Sequence, residues 1–438
     1  MFSYYLKLGL LSIRRNPLMS ALMVAAIAVG IGACMSIITV NYAMSGNPIP
    51  QKSDQLFYVQ LDSWDPNRPE DDGTFDPPDQ MTYIDAMALM KADKAHRQIA
   101  SYKTGRVLEP QSADERPFPI DVRNTWADFF PMFDLKFLFG SGWDDTSDRN
   151  LEQVVVLSKE TNERVFGGED SVGRSVRLNG MDFQVVGVLD EFHPVPKFYD
   201  VTNGAFREPE DMYIPFSVAV ENNMPRWGNT NCWKPVDGDG HEAFLNSECA
   251  WIQFWAELRN EEEKQAYMDY MNAYAGQQKE LGRFPRPLNN RLSDVMEWME
   301  KEEIVDEDAR VMLGLSLLFL LVCLLNTIGL LLAKFLGKSQ DISLRRALGA
   351  SRGTLFIQHL IESGLIGLGG GVLGLGLTWL GLRGIEMLFG DLVENLVGLD
   401  WMMVLTAIGL AILSALLAGL YPTWRACNIM PAEQLKIQ

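Results

Sequence analysis

The stretch DISLRRALGASRGTLFIQHLIES, residues 341–363, separates two long apolar runs of the chain. Four such runs, at 18–40, 311–333, 355–382 and 402–424, carry no charge near their centres. Each is long enough to cross a bilayer, for which about 20 apolar residues suffice. The sequence therefore predicts an α-helical membrane protein with four transmembrane helices, and it places the quoted stretch at the membrane surface between the second and the third.

The positions of lysine and arginine predict the orientation of the chain. Basic residues precede the first run, follow the fourth and lie between the second and third, whereas the connection between the third and fourth is mostly acidic. We expect a multi-pass protein of the bacterial inner membrane, with both termini in the cytoplasm and one large domain in the periplasm. The first run exceeds the about 7–15 apolar residues of a cleaved signal and is interpreted as a retained anchor.

These features divide the chain into segments. The predicted segments are a cytoplasmic N-terminal segment (1–17), transmembrane helices (18–44, 306–335, 355–382 and 402–424), a periplasmic domain (45–305), a cytoplasmic connection (336–354), a short periplasmic loop (383–401) and a cytoplasmic tail (425–438).

The periplasmic domain is acidic and is predicted to be mixed α/β. It carries about 20 more acidic than basic residues, which argues against nucleic acid as a partner. Strand-like and helix-like spacings predict an α/β frame at about 45–120 and 250–305, with a mostly β insert at about 121–249. Cys232 and Cys249 both lie in this domain, where disulfides persist, so we predict a bridge between them; two unpaired thiols are the alternative.

No residue pattern predicts catalysis or metal binding. Gly337-Lys338-Ser339 ends like a phosphate-binding loop, but Leu332 stands where that loop requires glycine. His193 has no second histidine at helical spacing, so we predict no metal site.

Small and polar residues inside the spans predict helix packing. Gly367 and Gly371, and likewise Gly370 and Gly374, are four residues apart, a spacing typical of closely packed membrane helices. Asn326 lies inside the second span, and we expect its amide to form an interhelical hydrogen bond.

The quoted stretch is basic and amphipathic, a pattern that usually indicates an interfacial helix. Gly349-Ala350-Ser351 interrupts it, which predicts two helical arms joined by an elbow that could enter a partner's groove. One apolar stripe is predicted along the arms, formed by Ile342, Leu344, Leu348, Leu355 and Phe356.

The same stretch resembles the loop after the second span in MacB-type permeases, whose relatives include lipoprotein-release permeases and FtsX division proteins. The family pattern E-I-G-x-R-x-A-L-G-A is followed by Q-x-x-x-E; Gln358 and Glu362 keep the latter spacing, while Asp341 and Ser343 replace the glutamate and the glycine. Further segments similar to this family are LSIRRNPLMSALMVAAIAVGIGA (11–33), FFPMFDLKFLFGSGW (129–143), VVVLSKETNERVFGGEDSVGRSVRLNGMDFQVVGVL (154–189) and GLYPTWRACNIMPAEQLK (419–436).

The resemblance implies the permease subunit of a type VII, mechanotransmission ABC transporter. Its periplasmic core would combine a porter-like frame with a sabre-like insert, followed by an FtsX-like permease region. The family's subunits dimerise, with themselves or with a sibling permease, and bind two copies of an ABC ATPase. Residues matching the ATPase-coupling motif are Asp341, Leu344, Arg345, Arg346, Leu348, Gly349, Ala350 and Glu362.

Because about 17 residues precede the first span, we expect the ATPase to be a separate cytoplasmic chain, which binds ATP and Mg²⁺. This chain itself is expected to hold no cofactor and to be no enzyme. The leading hypothesis is export of a peptide, toxin or small amphiphile with a periplasmic adaptor and an outer-membrane channel. The alternatives are a lipoprotein-release permease, an FtsX-like regulator of an external hydrolase and, most remotely, a membrane-anchored enzyme.

Overall fold

The computed structural model describes residues 2–70, 75–109, 116–304, 307–389 and 401–428. Most of the predicted short loop at 383–401 and the C-terminal part of the family motif, from residue 429 onward, lie outside these residues. The chain divides into two units, one formed by Met1–Ser45 with Val305–Gln438 and the other by Gly46–Ile304. We call them the membrane unit and the core domain.

Fourteen α-helices lie within the described residues, together with a 3₁₀ turn at Phe198–Asn203. The helices are α1 Phe2–Arg15, α2 Pro17–Met44, α3 Tyr83–Ala92, α4 Phe129–Met132, α5 Asp145–Asn150, α6 Lys159–Phe166, α7 Phe216–Glu221, α8 His241–Leu245, α9 Glu261–Glu280, α10 Val295–Lys301, α11 Glu307–Leu336, α12 Ser339–Ala347, α13 Arg352–Phe389 and α14 Trp401–Cys427.

Twelve strands lie in the same described part of the chain, all of them in the core domain. They are β1 Leu56–Gln60, β2 Met81–Thr82, β3 Arg97–Glu109, β4 Phe118–Thr125, β5 Phe137–Gly140, β6 Val154–Leu157, β7 Ser175–Leu178, β8 Met181–Leu189, β9 Met212–Pro215, β10 Asn231–Cys232, β11 Cys249–Glu257 and β12 Arg291–Asp294.

The membrane unit contains four helices long and apolar enough to cross a membrane, which confirms the predicted class. They are α2, α11, α13 and α14, with candidate spans Pro17–Tyr42, Val311–Leu336, Arg352–Gly384 and Val404–Cys427. A further helix, α1, occupies the N-terminal segment. Pro17 separates α1 from α2, because proline fits the first turn of a helix but disrupts its interior.

The four glycines of α13 named above lie at contacts with two different helices. A Cβ atom at Gly370 or Gly374 would meet Ile27 or Ile31 of α2, whereas a Cβ atom at Gly367 or Gly371 would meet Ala415 or Ala411 of α14. The absence of a side chain therefore lets α13 approach both neighbours closely.

Replacing Gly367 with alanine should destabilise the membrane unit. The added Cβ would lie 2.5 Å from the Cβ of Ala415 and 2.9 Å from the backbone oxygen of Ala411, contacts closer than packed atoms tolerate. We expect a loss of about 1–3 kcal/mol in the free energy of unfolding. Gly376→Ala is the matched control on the same helix, because nothing lies within 4 Å of its Cβ position. Thermal unfolding in detergent should show a lower midpoint for Gly367→Ala than for the control, and equal midpoints would contradict this packing.

The core domain is built on one mixed sheet, with the strand order β12-β1-β11-β3-β4-β9-β6-β8-β5 along its main path. The 13-residue strand β3 joins the two halves of the sheet, since its first part pairs with β11 and its second part with β4. Neighbours are mostly antiparallel, but β4 runs parallel to β9 and β6 to β8. The mixed α/β class is as predicted, although the expected start of the insert near residue 121 falls inside β4.

Both faces of this sheet are covered by helices. Leu89 of α3 and Met271 of α9 belong to the apolar cluster on one face, and Phe129 of α4 and Trp298 of α10 to the cluster on the other. Strands covered on both faces become continuously apolar instead of alternating. This explains the sequence CAWIQFWAE of β11, in which all nine residues are buried.

A disulfide joins Cys232 of β10 to Cys249 of β11, where the two strands pair. The interior also holds buried ion pairs, and one cluster of them surrounds Arg123. The fully buried Arg123 pairs with Asp200 and Glu210, and the Lys197 Nζ atom lies 3.2 Å from Glu210. Burial alone would raise the pKa of Glu210, but the adjacent cations lower it well below its ordinary value. These opposite charges are therefore paired with each other within the core domain.

Deprotonation of the Asp148 carboxyl should make the core domain less stable as the pH rises. Its buried carboxyl accepts hydrogen bonds from the Ala127 amide at 2.9 Å and the Trp143 Nε1 at 3.2 Å, and burial raises its pKa to about 7. The unfolded chain releases this proton near pH 3.9, so stability is present at low pH and is lost between about pH 4 and about pH 7. We expect a loss on the order of 2 kcal/mol between pH 5 and pH 8 from this group.

Thermal unfolding of the full chain, followed by tryptophan fluorescence at pH 5 and pH 8, checks this expectation. Asp148→Asn removes the titrating group, so its midpoint should change less with pH than that of the wild type. The same pH dependence in both proteins would contradict the assigned shift.

Candidate coupling site

The predicted elbow is formed by α12, the following turn and the start of α13. α12 ends at Ala347 and α13 begins at Arg352. Gly349 has a φ angle of 102°, a left-handed conformation that favours glycine. The Ser351 hydroxyl accepts the Thr354 amide at 3.1 Å, as residues preceding a helix commonly do. Gly349 ends the first arm and Ser351 starts the second.

The apolar residues of the elbow divide between two faces, so the single stripe expected from the sequence is wrong. Ile342 and Leu355 are buried in the core of the membrane unit. Leu344 and Leu348 point outward, 61% and 80% exposed. Leu344 lies on α12 and Leu348 directly follows its last residue. The two are four residues apart and therefore lie together on one side of the first arm, opposite the buried side. We call Leu344 and Leu348 the outer leucine pair.

The arginines of the elbow are anchored within the chain. The Arg345 Nη1 atom donates to the Gln358 Oε1 atom at 3.3 Å, and the Arg346 Nη1 atom donates to the Cys427 carbonyl at 3.3 Å, at the end of α14. Arg346 is half-buried and Ala350 likewise, whereas Asp341 and Gly349 are exposed. These hydrogen bonds fix the first arm against α13 and α14 and leave the outer leucine pair free to contact a partner.

Glu362 does not share the surface of the elbow with the other motif residues. Its carboxylate is buried and lies 2.7 Å from the Lys334 Nζ atom, which is also buried. The Lys338 Nζ atom lies 3.8 Å away, the His359 Nδ1 atom 3.5 Å away, and the Ser12 hydroxyl donates to the carboxylate. Because these contacts all lie within the chain, we expect Glu362 to position other residues of the elbow.

The residues around Glu362 come from different helices. The Lys334 Nζ atom also donates to the Ser20 hydroxyl at 2.9 Å, and Lys338 donates to Ser12. We call this group the Glu362 cluster; its members are Ser12, Ser20, Lys334, Lys338, His359 and Glu362. It ties α1, α2 and α11 to α13, beside the elbow.

Sequence reasoning missed the partners of Glu362. The signal was Lys334, a lysine at the end of an otherwise apolar run, because a charge in such a place is paired when it is buried. A cavity of about 250 Å³ lies next to the cluster, lined by Arg15, Lys338 and Arg345 among others. Burial lowers the pKa of Lys338, an effect partly offset by the negative charge of Glu362.

Asn326 lies in α11, within the second candidate span. Its side chain is exposed on the surface of α11, and it has no hydrogen-bond partner among the described residues. The interhelical hydrogen bond expected for Asn326 is not formed among the described residues and stays a prediction. The buried face of α11 is formed by residues such as Cys323 and Thr327. Within the described residues, no group of three or more His, Cys, Asp or Glu side chains is arranged to hold a metal ion.

Comparison with protein families gives two adjoining matches. Residues 20–274 match the MacB-like periplasmic core domain, and residues 313–431 match the FtsX-like permease C-terminal region. The elbow and the Glu362 cluster partners on α11 and α13 lie within the second match.

The chain is similar to relatives of two kinds, an ABC transporter permease and a larger ATP-binding/permease protein. The chain is 20% identical over 443 residues to YknZ of Bacillus subtilis, described as an uncharacterized ABC transporter permease, and the match covers 99% of this chain and 98% of YknZ. It is 22% identical over 309 residues to the macrolide export ATP-binding/permease protein MacB 2 of Aeromonas hydrophila, covering 70% of this chain. The chain spans 42% of the length of that larger protein.

Among solved structures, the periplasmic region of MacB from Actinobacillus actinomycetemcomitans matches with a TM-score of 0.37 and 14% identity. That match covers 58% of this chain and 95% of the solved chain.

Proposed function

Since this chain belongs to the family of the MacB-like periplasmic core domain, and is an ABC transporter permease of that family, we propose that its elbow docks on a separate ABC ATPase. The observation that carries this proposal is the outer leucine pair. Leu344 and Leu348 are exposed at the surface of a segment whose arginines, Arg345 and Arg346, are hydrogen-bonded to α13 and α14. Exposed apolar side chains held on a rigid arm suit a hydrophobic groove on a partner protein.

The proposed mechanism transmits motion of the ATPase to the core domain. ATP-driven closure of two ATPase subunits moves the elbow, and the Glu362 cluster passes this movement to α1, α2 and α11 as one body. The core domain is joined to the chain directly after α2 and directly before α11, so tilting these helices moves its two ends. The work is done outside the cytoplasm, and ATP and Mg²⁺ bind to the partner ATPase.

Export is the proposed use of this motion. The relatives named as macrolide, pyoverdine and syringafactin exporters support an amphiphilic or peptide-like cargo. In this proposal the chain lies in the inner membrane with both termini in the cytoplasm. A periplasmic adaptor and an outer-membrane channel complete the route where the cell has an outer membrane. The match with YknZ, which is described as an ABC transporter permease, covers 99% of this chain and supports the permease role.

Affinity purification of the tagged chain in mild detergent, followed by mass spectrometry, tests this function. We expect a small ABC ATPase in the purified complex, together with an adaptor. Lipoprotein-handling partners would favour lipoprotein release, and a cell-wall hydrolase would favour an FtsX-like regulator. Recovery of no ATPase under conditions that keep the membrane unit folded would contradict the proposal.

A further inference from the structure

The cavity beside the Glu362 cluster lies between α1 and the first arm of the elbow. Its volume is about 250 Å³, and its lining comes from α1, the turn after α11, α12 and α13. We call it the α1 cavity. The lining residues that decide its chemistry are Leu8, Leu11, Arg15, Lys338, Asp341 and Arg345.

Three cationic side chains from separate segments of the chain meet at this cavity. Arg15 is the last residue of α1, Lys338 lies between α11 and α12, and Arg345 lies on α12. The Arg15 guanidinium forms no ion pair or hydrogen bond among the described residues. The pKa of Lys338 is lowered first by burial and also by the positive charges of Lys334 and Arg15, so these cations repel one another. An anion placed between them would remove that repulsion.

The carboxylates that line the cavity leave positive charge available. Glu362 lies 2.7 Å from Lys334 and 3.8 Å from Lys338, so Lys334 already balances its charge. Asp341 is exposed and lies within ion-pair distance of none of the described cations. The Arg345 guanidinium donates to a neutral side-chain amide of α13 at 3.3 Å. The cavity therefore has the charge of an anion-binding site.

The cations lie at the level at which the membrane spans end. Arg15 comes two residues before Pro17, where the first candidate span begins, and Lys338 comes two residues after Leu336, where the second ends. The polar headgroups of a bilayer lie at this level, directly outside the hydrocarbon core. Basic pockets between membrane helices are suited to anionic headgroups. Both the charge and the position of the cavity therefore point to a lipid phosphate.

Apolar side chains beside these cations can accommodate an acyl chain. Leu8 and Leu11 are three residues apart, lie on one side of α1 and both line the cavity. Leu11 is 57% exposed, and α1 also exposes Tyr4 and Leu10. Exposed apolar residues on a helix with basic residues are typical of a helix in the membrane interface. A free phosphate ion would leave this apolar wall without a contact, which favours a lipid as the ligand.

We propose that the α1 cavity binds the phosphate headgroup of one anionic phospholipid, with an acyl chain along Leu8 and Leu11. Arg15, Lys338 and Arg345 hold the headgroup. The lipid joins α1 to the elbow, so its binding stabilises the membrane unit. Its placement in the cytoplasmic leaflet rests on the proposed function, whereas binding itself requires no ATPase.

Native mass spectrometry of the full chain in detergent tests this site, because it counts bound lipids. Phosphatidylglycerol and phosphatidylcholine with the same acyl chains are titrated against the wild type, Arg15→Gln and Arg14→Gln. Arg14 is the matched control, since it is also exposed at the end of α1 but does not line the cavity.

We expect the wild type to bind one phosphatidylglycerol several-fold more tightly than phosphatidylcholine. Arg15→Gln should weaken the binding of phosphatidylglycerol about fivefold, the factor expected for one cation beside an anionic headgroup, and Arg14→Gln should leave it unchanged. Phosphatidylglycerol should also raise the midpoint of thermal unfolding more in Arg14→Gln than in Arg15→Gln. Equal affinities of the two variants for phosphatidylglycerol would overturn the proposal.

A second pair of variants separates a lipid from a free phosphate ion. Leu11→Gln should weaken the binding of phosphatidylglycerol, whereas Leu10→Gln, at an exposed position outside the cavity lining, should not. Excess inorganic phosphate should leave the bound lipid in place. Displacement of the lipid by phosphate, with no effect of Leu11→Gln, would show an anion site without a lipid and overturn the proposal. Loss of lipid binding with normal co-purification of the ATPase would reject this site alone.

Discussion

Leu348→Asp should abolish stable association between this permease and its ATPase. The substitution places a charge in the centre of the outer leucine pair, where Leu348 is 80% exposed in the free chain and becomes buried on docking. Burying an unpaired charge in an apolar interface weakens binding by several kcal/mol, so we expect a loss of about a hundredfold or more in affinity. Purified components reconstituted in nanodiscs give this affinity and the stimulation of ATP hydrolysis by the permease.

The control for this variant is Leu281→Asp in the core domain. Leu281 is 75% exposed, so the two substitutions add the same charge at similarly exposed positions and should leave the fold equally intact. Leu344→Asp should behave like Leu348→Asp, because both leucines lie on the same outer side of the first arm. Normal ATPase affinity of the Leu348→Asp protein would remove the outer leucine pair from the coupling mechanism.

Removing either charge of the Lys334–Glu362 pair should strongly destabilise the membrane unit. Both side chains are buried, and their charged atoms lie 2.7 Å apart. Loss of one partner leaves the other charge unpaired in the interior, for which about 3–5 kcal/mol is typical. Glu362→Leu and Lys334→Met should therefore each lower the midpoint of thermal unfolding in detergent. The effect should be larger than that of Ser12→Ala, which removes only a hydroxyl group.

The double variant Lys334→Met/Glu362→Leu separates pairing from burial. The double variant leaves neither charge of the pair unpaired. Its loss in the free energy of unfolding should therefore be smaller than the sum of the losses of the two single variants. Additive losses would show that the two residues do not interact. ATPase stimulation by the double variant then reports whether the cluster also transmits motion, since a merely stabilising pair could be replaced by apolar side chains without loss of coupling.

Much of the fold could be predicted from the sequence because the strongest signals are local. The four spans follow from run length alone, and the mixed α/β class of the core domain follows from strand-like and helix-like spacings. Gly349 predicted the break between the two arms of the elbow, because glycine commonly ends a helix. The packing of α13 followed from glycine spacing, although the spacing could not say which helix each glycine faces.

The remaining features depend on tertiary contacts. The sequence offered one apolar stripe along the elbow, but it could not show that Ile342 turns inward while Leu344 and Leu348 turn outward. Likewise, the pairing of Glu362 with Lys334 joins helices whose neighbours are set by packing. The bounds of the insert stay a prediction, because β3 pairs with strands of both halves of the sheet, a property of strand pairing that no composition change marks.

Photo-crosslinking from position 348 in living cells tests the docking of the elbow most directly. A benzophenone amino acid replaces Leu348, and the same substitution at Leu281 serves as the control. After irradiation, mass spectrometry identifies the covalent adducts. We expect an adduct with an ABC ATPase from position 348 and none from position 281. Adducts from position 348 with lipid alone, in cells that express the folded permease and its ATPase, would contradict the docking of the elbow on that ATPase.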